Sequence, residues 1–237
     1  MLRKMLNDNK LVYNEKDFLK AIGESFKAYK EKGARSTAKL KPIHGFVASI
    51  LSGIWDKDFE VYYLGDDRQE KKVEGKYYPK DIDITVMKGD KAVFCLGIKF
   101  VTSNYKQNAN NYFENMMGET ANVQAMGSLP YAQLIILRHE TPYYLKNEIE
   151  KPSRIEIIND KDLSKYLKLY FDRPQTHRPE YMGILLINID EQTGNVSSMN
   201  LQQFFTKEIV YLLTEKLSLE AFFKNIDCYK NYYISQG

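Results

Sequence analysis

Two aspartates and a lysine carry the first sign of chemistry in this chain of 237 residues. Asp81 and Asp83 stand in the alternating stretch Asp81 to Val86, and Lys99 lies near the end of a second, Ala92 to Phe100. Between them Met87-Lys88-Gly89-Asp90-Lys91 supplies a turn's glycine and aspartate, so the pair reads as a β-hairpin. Strand side chains point to alternate faces. Asp81, Asp83 and Thr85 then share one face and Ile82, Ile84 and Val86 the other, while Leu96, Ile98 and Phe100 alternate with Cys95, Gly97, Lys99 and Val101. Carboxylates opposite a lysine can hold a hard divalent cation and steady a developing negative charge. A plain cross-strand ion pair uses the same residues and is worth little.

The usual competitors are absent. Neither GxGxxG nor GxxxxGK[ST] occurs, no GxSxG elbow is found, and His44, His139 and His177 are too scattered for a zinc site. Cys95 and Cys228 make no disulfide framework, which fits a reducing, cytoplasmic setting. The opening MLRKMLNDNKL has no apolar leader, and no apolar run is long enough to span a bilayer.

The elements that must position the hairpin can be read in order. Asn14 to Asp17 starts a helix whose Phe18, Leu19, Ile22, Phe26 and Tyr29 recur at helical spacing up to Gly33. A second helix follows Ser36-Thr37, with Phe46, Val47, Ile50, Leu51 and Ile54 as its stripe. Phe59 to Leu64 reads as a strand and Gly65 to Lys76 as a polar loop or hairpin tip. After the hairpin comes a polar loop, Ser103 to Asn111, then a helix from Ala109 to Met126. Ala132–Leu137 and Tyr181–Ile189 have the apolar runs of strands buried on both faces. Arg154–Ile158 is a short strand, Asp160–Phe171 a helix, 172–180 a loop, Asp190–Asn195 a turn, and Leu201–Tyr229 a helical tail. This order predicts an α/β fold with a mixed β-sheet flanked by helices. One domain over 1–237 is expected, with N-terminal helices 15–55, a core hairpin and helix 79–126, and C-terminal strands and helices 131–230.

The stretch Pro79 to Gln124, above all LGIKFVTSNYKQNANNYFENMMGETANVQ, resembles the PD-(D/E)xK nucleases and within them certain type II restriction endonucleases. The resemblance implies a restriction-endonuclease-like fold and Mg²⁺-dependent hydrolysis of specific double-stranded DNA sequences, as part of a restriction-modification system. A homodimer, each subunit cutting one strand, goes with it. The family's metal-binding aspartate falls on Asp83, with Asp81 as rival, and its lysine on Lys99. Its usual acid falls on Gly97, which has no side chain to ligate; the Ile98 carbonyl remains as a ligand. Some members carry that acid on the following helix, which makes Glu114 and Glu119 candidates. Glu114 has the right separation, 15 residues beyond Lys99, whereas Glu119 shares the apolar stripe of Tyr112, Met116 and Val123. Gly97 also leaves open a catalytically decayed or partner-dependent DNA-binding subunit, or an interaction protein of a defence system.

DNA contacts are expected from two places. Lys39, Lys41 and His44 stand near a helix start that can hold a phosphate, although a solvated helix start explains them too. Asn104, Tyr105, Lys106, Gln107 and Asn108 offer amides and a cation, for phosphate contact ahead of base contact. Charge agrees in sign: residues 1–110 hold 21 Lys/Arg against 15 Asp/Glu, and residues 111–237 hold 13 against 16. A basic half suits a polyanion, and Lys-rich solvated helices give the same balance.

Overall fold

The computed structural model describes residues 13–33, 36–66, 69–127, 129–145 and 151–236. The N-terminal segment 1–12, where no leader was expected, lies outside them, as do 67–68 of the polar loop. Helix α1 (Glu15–Lys32) is capped by the Asn14 side chain and ends at Gly33, whose φ of 81° suits glycine. A 3₁₀ turn (Thr37–Lys39) leads into α2 (Lys41–Ile54), with Pro42 in its first turn. Strand β1 (Glu60–Tyr63) follows, then β2 (Lys71–Val73) inside the expected loop, and β3 (Lys80–Ile82).

The expected strand Asp81–Val86 is corrected to two. β3 pairs with β2 in a separate ribbon, and β4 (Ile84–Lys88) pairs with β5 (Lys91–Val101) in the main sheet. The chain bends at Asp83 between them. Helix α3 (Tyr105–Gln124) then crosses to β6 (Tyr131–Arg138), which runs parallel to β5. It begins at Tyr105 rather than Ala109, so most of the expected loop is helix. A second ribbon, β7 (Glu140–Tyr143) with β8 (Arg154–Ile157), precedes α4 (Asp160–Phe171), which opens with a full capping box of Asn159 and Asp162. β9 (Tyr181–Ile189) returns parallel to β6, and β10 (Val196–Ser198) closes the edge antiparallel. The helical tail is broken into α5 (Lys207–Tyr211), a wider turn (Leu212–Lys216) and α6 (Leu219–Ser235), which Ser218 caps afresh.

The sheet order is β1-β4-β5-β6-β9-β10, mixed as expected, with helices on both faces. One face packs Leu96, Ile98, Phe100, Leu134 and Ile136 against α1, α2 and α6. The other packs Val101, Ile135 and Leu137 beneath α3, α4 and α5. That alternation sends Cys95, Gly97 and Lys99 toward α3, beside Tyr131, Gln133 and Ile135 of the parallel neighbour. A third, smaller cluster of Val73, Ile82, Cys95, Val123 and Tyr131 seats the β2–β3 ribbon on the end of the sheet. Ribbon, sheet end and α3 thus meet at Asp83. No described helix is long and apolar enough to cross a membrane.

Candidate active site

The bend frees Asp83 from both ladders, and its Oδ2 accepts a hydrogen bond of 2.6 Å from the Ile98 amide. Ile98 therefore meets Asp83 through its N–H. Asp81 is carried away on the ribbon, where it pairs with Lys72 at 3.0 Å with both side chains more than half exposed. The shared face of Asp81, Asp83 and Thr85 is thereby corrected: the main sheet does not include β3.

Two groups converge on Asp83 from elements distant in sequence. His44 lies on the buried face of α2, fully enclosed, and neither ring nitrogen has a hydrogen-bond partner. Burial holds its pKa low against the pull of Asp83, so the ring is neutral and both nitrogens are not donors at once. Glu70 enters just before β2. Burial, then the nearby charges of Asp83 and Asp81, raise its pKa while Lys80 opposes them. One ligand atom from each of His44, Glu70 and Asp83 lies within 4.8 Å of the others. A buried imidazole without partners costs about 1–3 kcal/mol, and the two carboxylates beside it repel. A divalent cation relieves both, so these residues fit one.

Across from them, Glu119 reaches down from α3. Its Oε1 lies 3.1 Å from the Lys80 ammonium and 3.7 Å from that of Lys99. Burial opposes the charged form of Lys80, but Glu119 outweighs it and the lysine's pKa is raised. The buried Tyr131 phenol lies near Glu119; burial, then the charges of Glu119 and Asp83, raise its pKa and keep it protonated. Glu114 is exposed on α3 and does not join the cluster.

Gly97 explains the arrangement. A Cβ there would collide with the Tyr131 hydroxyl and stand 2.9 Å from Gln133 Oε1. Gln133 Nε2 donates to the Gly97 carbonyl at 3.0 Å, while its Oε1, fully buried, has no partner. The space beside Gly97 is thus filled from β6, and the carboxylate near Lys99 comes from α3.

No protein-family model matches the chain, and no curated protein does. Among solved structures, NucC of P. aeruginosa in its cAAA-bound form is similar at 10% identity with a TM-score of 0.44, covering 91% of this chain and 88% of that one.

The expected DNA contacts are dispersed. His44 is a buried neighbour of Asp83 instead of a phosphate hook. Lys39 is half-buried with its ammonium 5.8 Å over the Tyr29 ring, and Lys41 pairs with Asp66 at 2.8 Å. Asn104 takes a left-handed backbone and clamps the main chain of Tyr144 with both ends of its amide. Tyr105 is fully buried, its hydroxyl 3.5 Å from that of Tyr166. Lys106 pairs with Asp162 and Asn108 bonds back to Asn104. Only Gln107 of that run is exposed without a backbone or ion-pair tie described for its side chain. Small polar residues here build a helix start, as they do for turn-geometry reasons.

Glu70, Lys80, Tyr131 and Gln133 were missed. For Tyr131 and Gln133 a signal existed: polar groups at alternate positions of an otherwise apolar strand must point at something polar. Glu70 gave none, because it depends on the ribbon folding back.

Proposed function

We propose that the chain is a divalent-metal-dependent endonuclease that cleaves specific sequences in double-stranded DNA, a single nuclease domain of restriction type that works as a homodimer. The observation carrying this reading is the convergence of His44, Glu70 and Asp83 within 4.8 Å, at the strand that bears Lys99. His44, Glu70 and Asp83 supply the ligand atoms, and the Ile98 amide keeps the Asp83 carboxylate turned to the site. A bound cation supplies charge neutralisation at the scissile phosphate and a water of lowered pKa. Lys99 directs its ammonium at the charge that develops on the phosphate, and Glu119 holds that ammonium in place. The protonated Tyr131 phenol stands near Glu119 as a neutral neighbour. Asp81 and Glu114 take no part.

The imidazole adjusts the expected ion. Mg²⁺ prefers oxygen alone, whereas Mn²⁺ accepts a mixed nitrogen and oxygen set. Duplex DNA of mixed sequence incubated with Mn²⁺, Mg²⁺ or EDTA tests the reading. Discrete fragments are expected, formed faster with Mn²⁺ than with Mg²⁺ and absent with EDTA or in Asp83→Ala and Glu70→Ala. Intact DNA with every metal, at every protein concentration, removes the enzyme and leaves the binding-only subunit. That second reading draws its support from Gly97, and it expects DNA affinity without cleavage.

A further inference from the structure

Hairpin tips that serve only as connections are short and polar; the tip of the β2–β3 ribbon, Glu74 to Pro79, carries two tyrosines in a row. Tyr77 is 74% exposed and Tyr78 50% exposed. Neither is loose. The tip is wrapped around Asn122 near the end of α3, itself only 2% exposed. The Lys76 amide donates to the Asn122 carbonyl at 2.8 Å, the Tyr77 amide to Asn122 Oδ1 at 3.0 Å, and Asn122 Nδ2 to the Tyr78 carbonyl at 2.9 Å. Gly75 makes the wrap possible, since a Cβ there would overlap Asn122 Nδ2 and stand 2.6 Å from the Tyr78 carbonyl. Rigid backbone beneath open aromatic rings is the design of a preorganised contact surface.

Its charge selects the occupant. The ribbon bears Lys71, Lys72, Lys76 and Lys80 against Glu74 and Asp81; Lys72 pairs with Asp81 and Lys80 with Glu119, and at the tip itself the Lys76 ammonium stands 5.6 Å over the Tyr77 ring. Asp83 lies five positions beyond Tyr78, at most about 18 Å of extended chain. Aromatic rings among cations, one short step from a phosphodiester site, match a nucleic-acid strand. Bases inside a duplex already have both faces stacked, so only an unpaired, terminal or displaced base offers a free face. We propose that Tyr77 and Tyr78 are a stacking platform for unpaired nucleobases of the strand that enters the Asp83 site. This deepens the nuclease reading and rests on it for the direction of the strand.

The test uses the full chain in EDTA and fluorescein-labelled oligonucleotides read by anisotropy: a dT strand, the matching U strand, a blunt duplex, and that duplex with an unpaired 3′ end. The two unpaired-DNA probes are expected to bind more tightly than the blunt duplex. Tyr77→Ala and Tyr78→Ala are each expected to weaken them by about 5- to 100-fold while leaving the blunt duplex unchanged. Tyr77→Phe keeps the ring and is expected to bind as the parent does. Stacking reads the ring alone, so the same alanine variants are expected to weaken the U strand to a similar degree. Alanine variants that fold with the parent's melting temperature and bind unpaired strands as tightly as it does overturn the platform. So does a change in their mass by light scattering without a change in affinity, which assigns the tip to a protein interface. A parent chain that binds unpaired strands yet cleaves nothing with any metal removes the nuclease reading and leaves the platform standing.

Discussion

Lys99 and Gly97 stand two residues apart on one strand face, and what each requires of its neighbours decides what the site can do. Lys99 has a carboxylate from another element at 3.7 Å. Replacing Lys99 by Ala is expected to lower kcat about 10²–10³-fold with little change in metal affinity, since it removes one stabilising charge and no ligand. Glu119→Gln is expected to keep the ion bound as well, whereas Asp83→Ala and Glu70→Ala lose it; calorimetric titration with Mn²⁺ separates the two groups. Gly97→Ala forces the Tyr131 hydroxyl and Gln133 to move and is expected to cost about 1–3 kcal/mol of stability. Tyr131→Phe in that background recovers part of it, as thermal melts of the four chains will show. Equal melting points for Gly97→Ala and its parent would refute the crowding argument.

At the scale of elements, most strands and helices were legible because their periodicity is local. Helix α4 and strand β9 fall at their expected bounds, since a capping box marks the one and an unbroken apolar run the other. What failed was decided at a distance. The strand from Asp81 to Val86 alternates throughout, yet only its second half joins the sheet, because β2 captures the first half. Asp83 stood out in the sequence, but the bend that takes it out of both ladders did not. Glu119 stood out as a carboxylate on an apolar stripe, with Glu114 beside it on spacing, and only the folded chain puts Glu119 next to Lys99. His44 and Glu70 as one cluster were not, since α2 and β2 meet Asp83 only in the folded chain. The start of α3 was read as loop because asparagines cluster there; Asn104 in fact holds that start, with φ of 51° and both amide ends on Tyr144. Asn104→Ala is expected to cost about 2 kcal/mol from the lost hydrogen bonds and the left-handed backbone, and Asn104→Gly less. Denaturant titrations will rank the two, and the reverse order would place the cost elsewhere.

For the molecule as a whole, the far edge of the sheet is tied down by charge. Arg138, 3% exposed, donates to Glu191 at 2.6 Å and to the Thr102 carbonyl at 3.0 Å, and Lys30 of α1 bonds the same carboxylate. Burial works against ionised Glu191, but Arg138 and Lys30 outweigh it and its pKa is lowered. A carboxylate with a depressed folded pKa stabilises the fold at pH above its unfolded value, and that contribution is lost as pH falls through the folded one. Glu191→Gln is therefore expected to lower stability by about 2 kcal/mol near neutrality, a drop of about 4–8 °C in Tm. As pH falls through the depressed pKa of Glu191, below the ordinary glutamate range, parent and variant should converge. A gap that stays constant over the whole acid range in which the chain remains folded would show that Glu191 acts through packing.

Asn122, which the ribbon tip encloses, leaves α3 three residues beyond Glu119, and side chains at that spacing emerge on one side of a helix, a single turn apart. One rigid rod therefore has the tyrosine tip fastened to one turn and the partner of Lys99 to the next. An occupant of the tip that shifted α3 would therefore also move the carboxylate beside Lys99. Any such coupling between an oligonucleotide at the tip and the proposed ion would be reciprocal, each changing the other's affinity by the same factor.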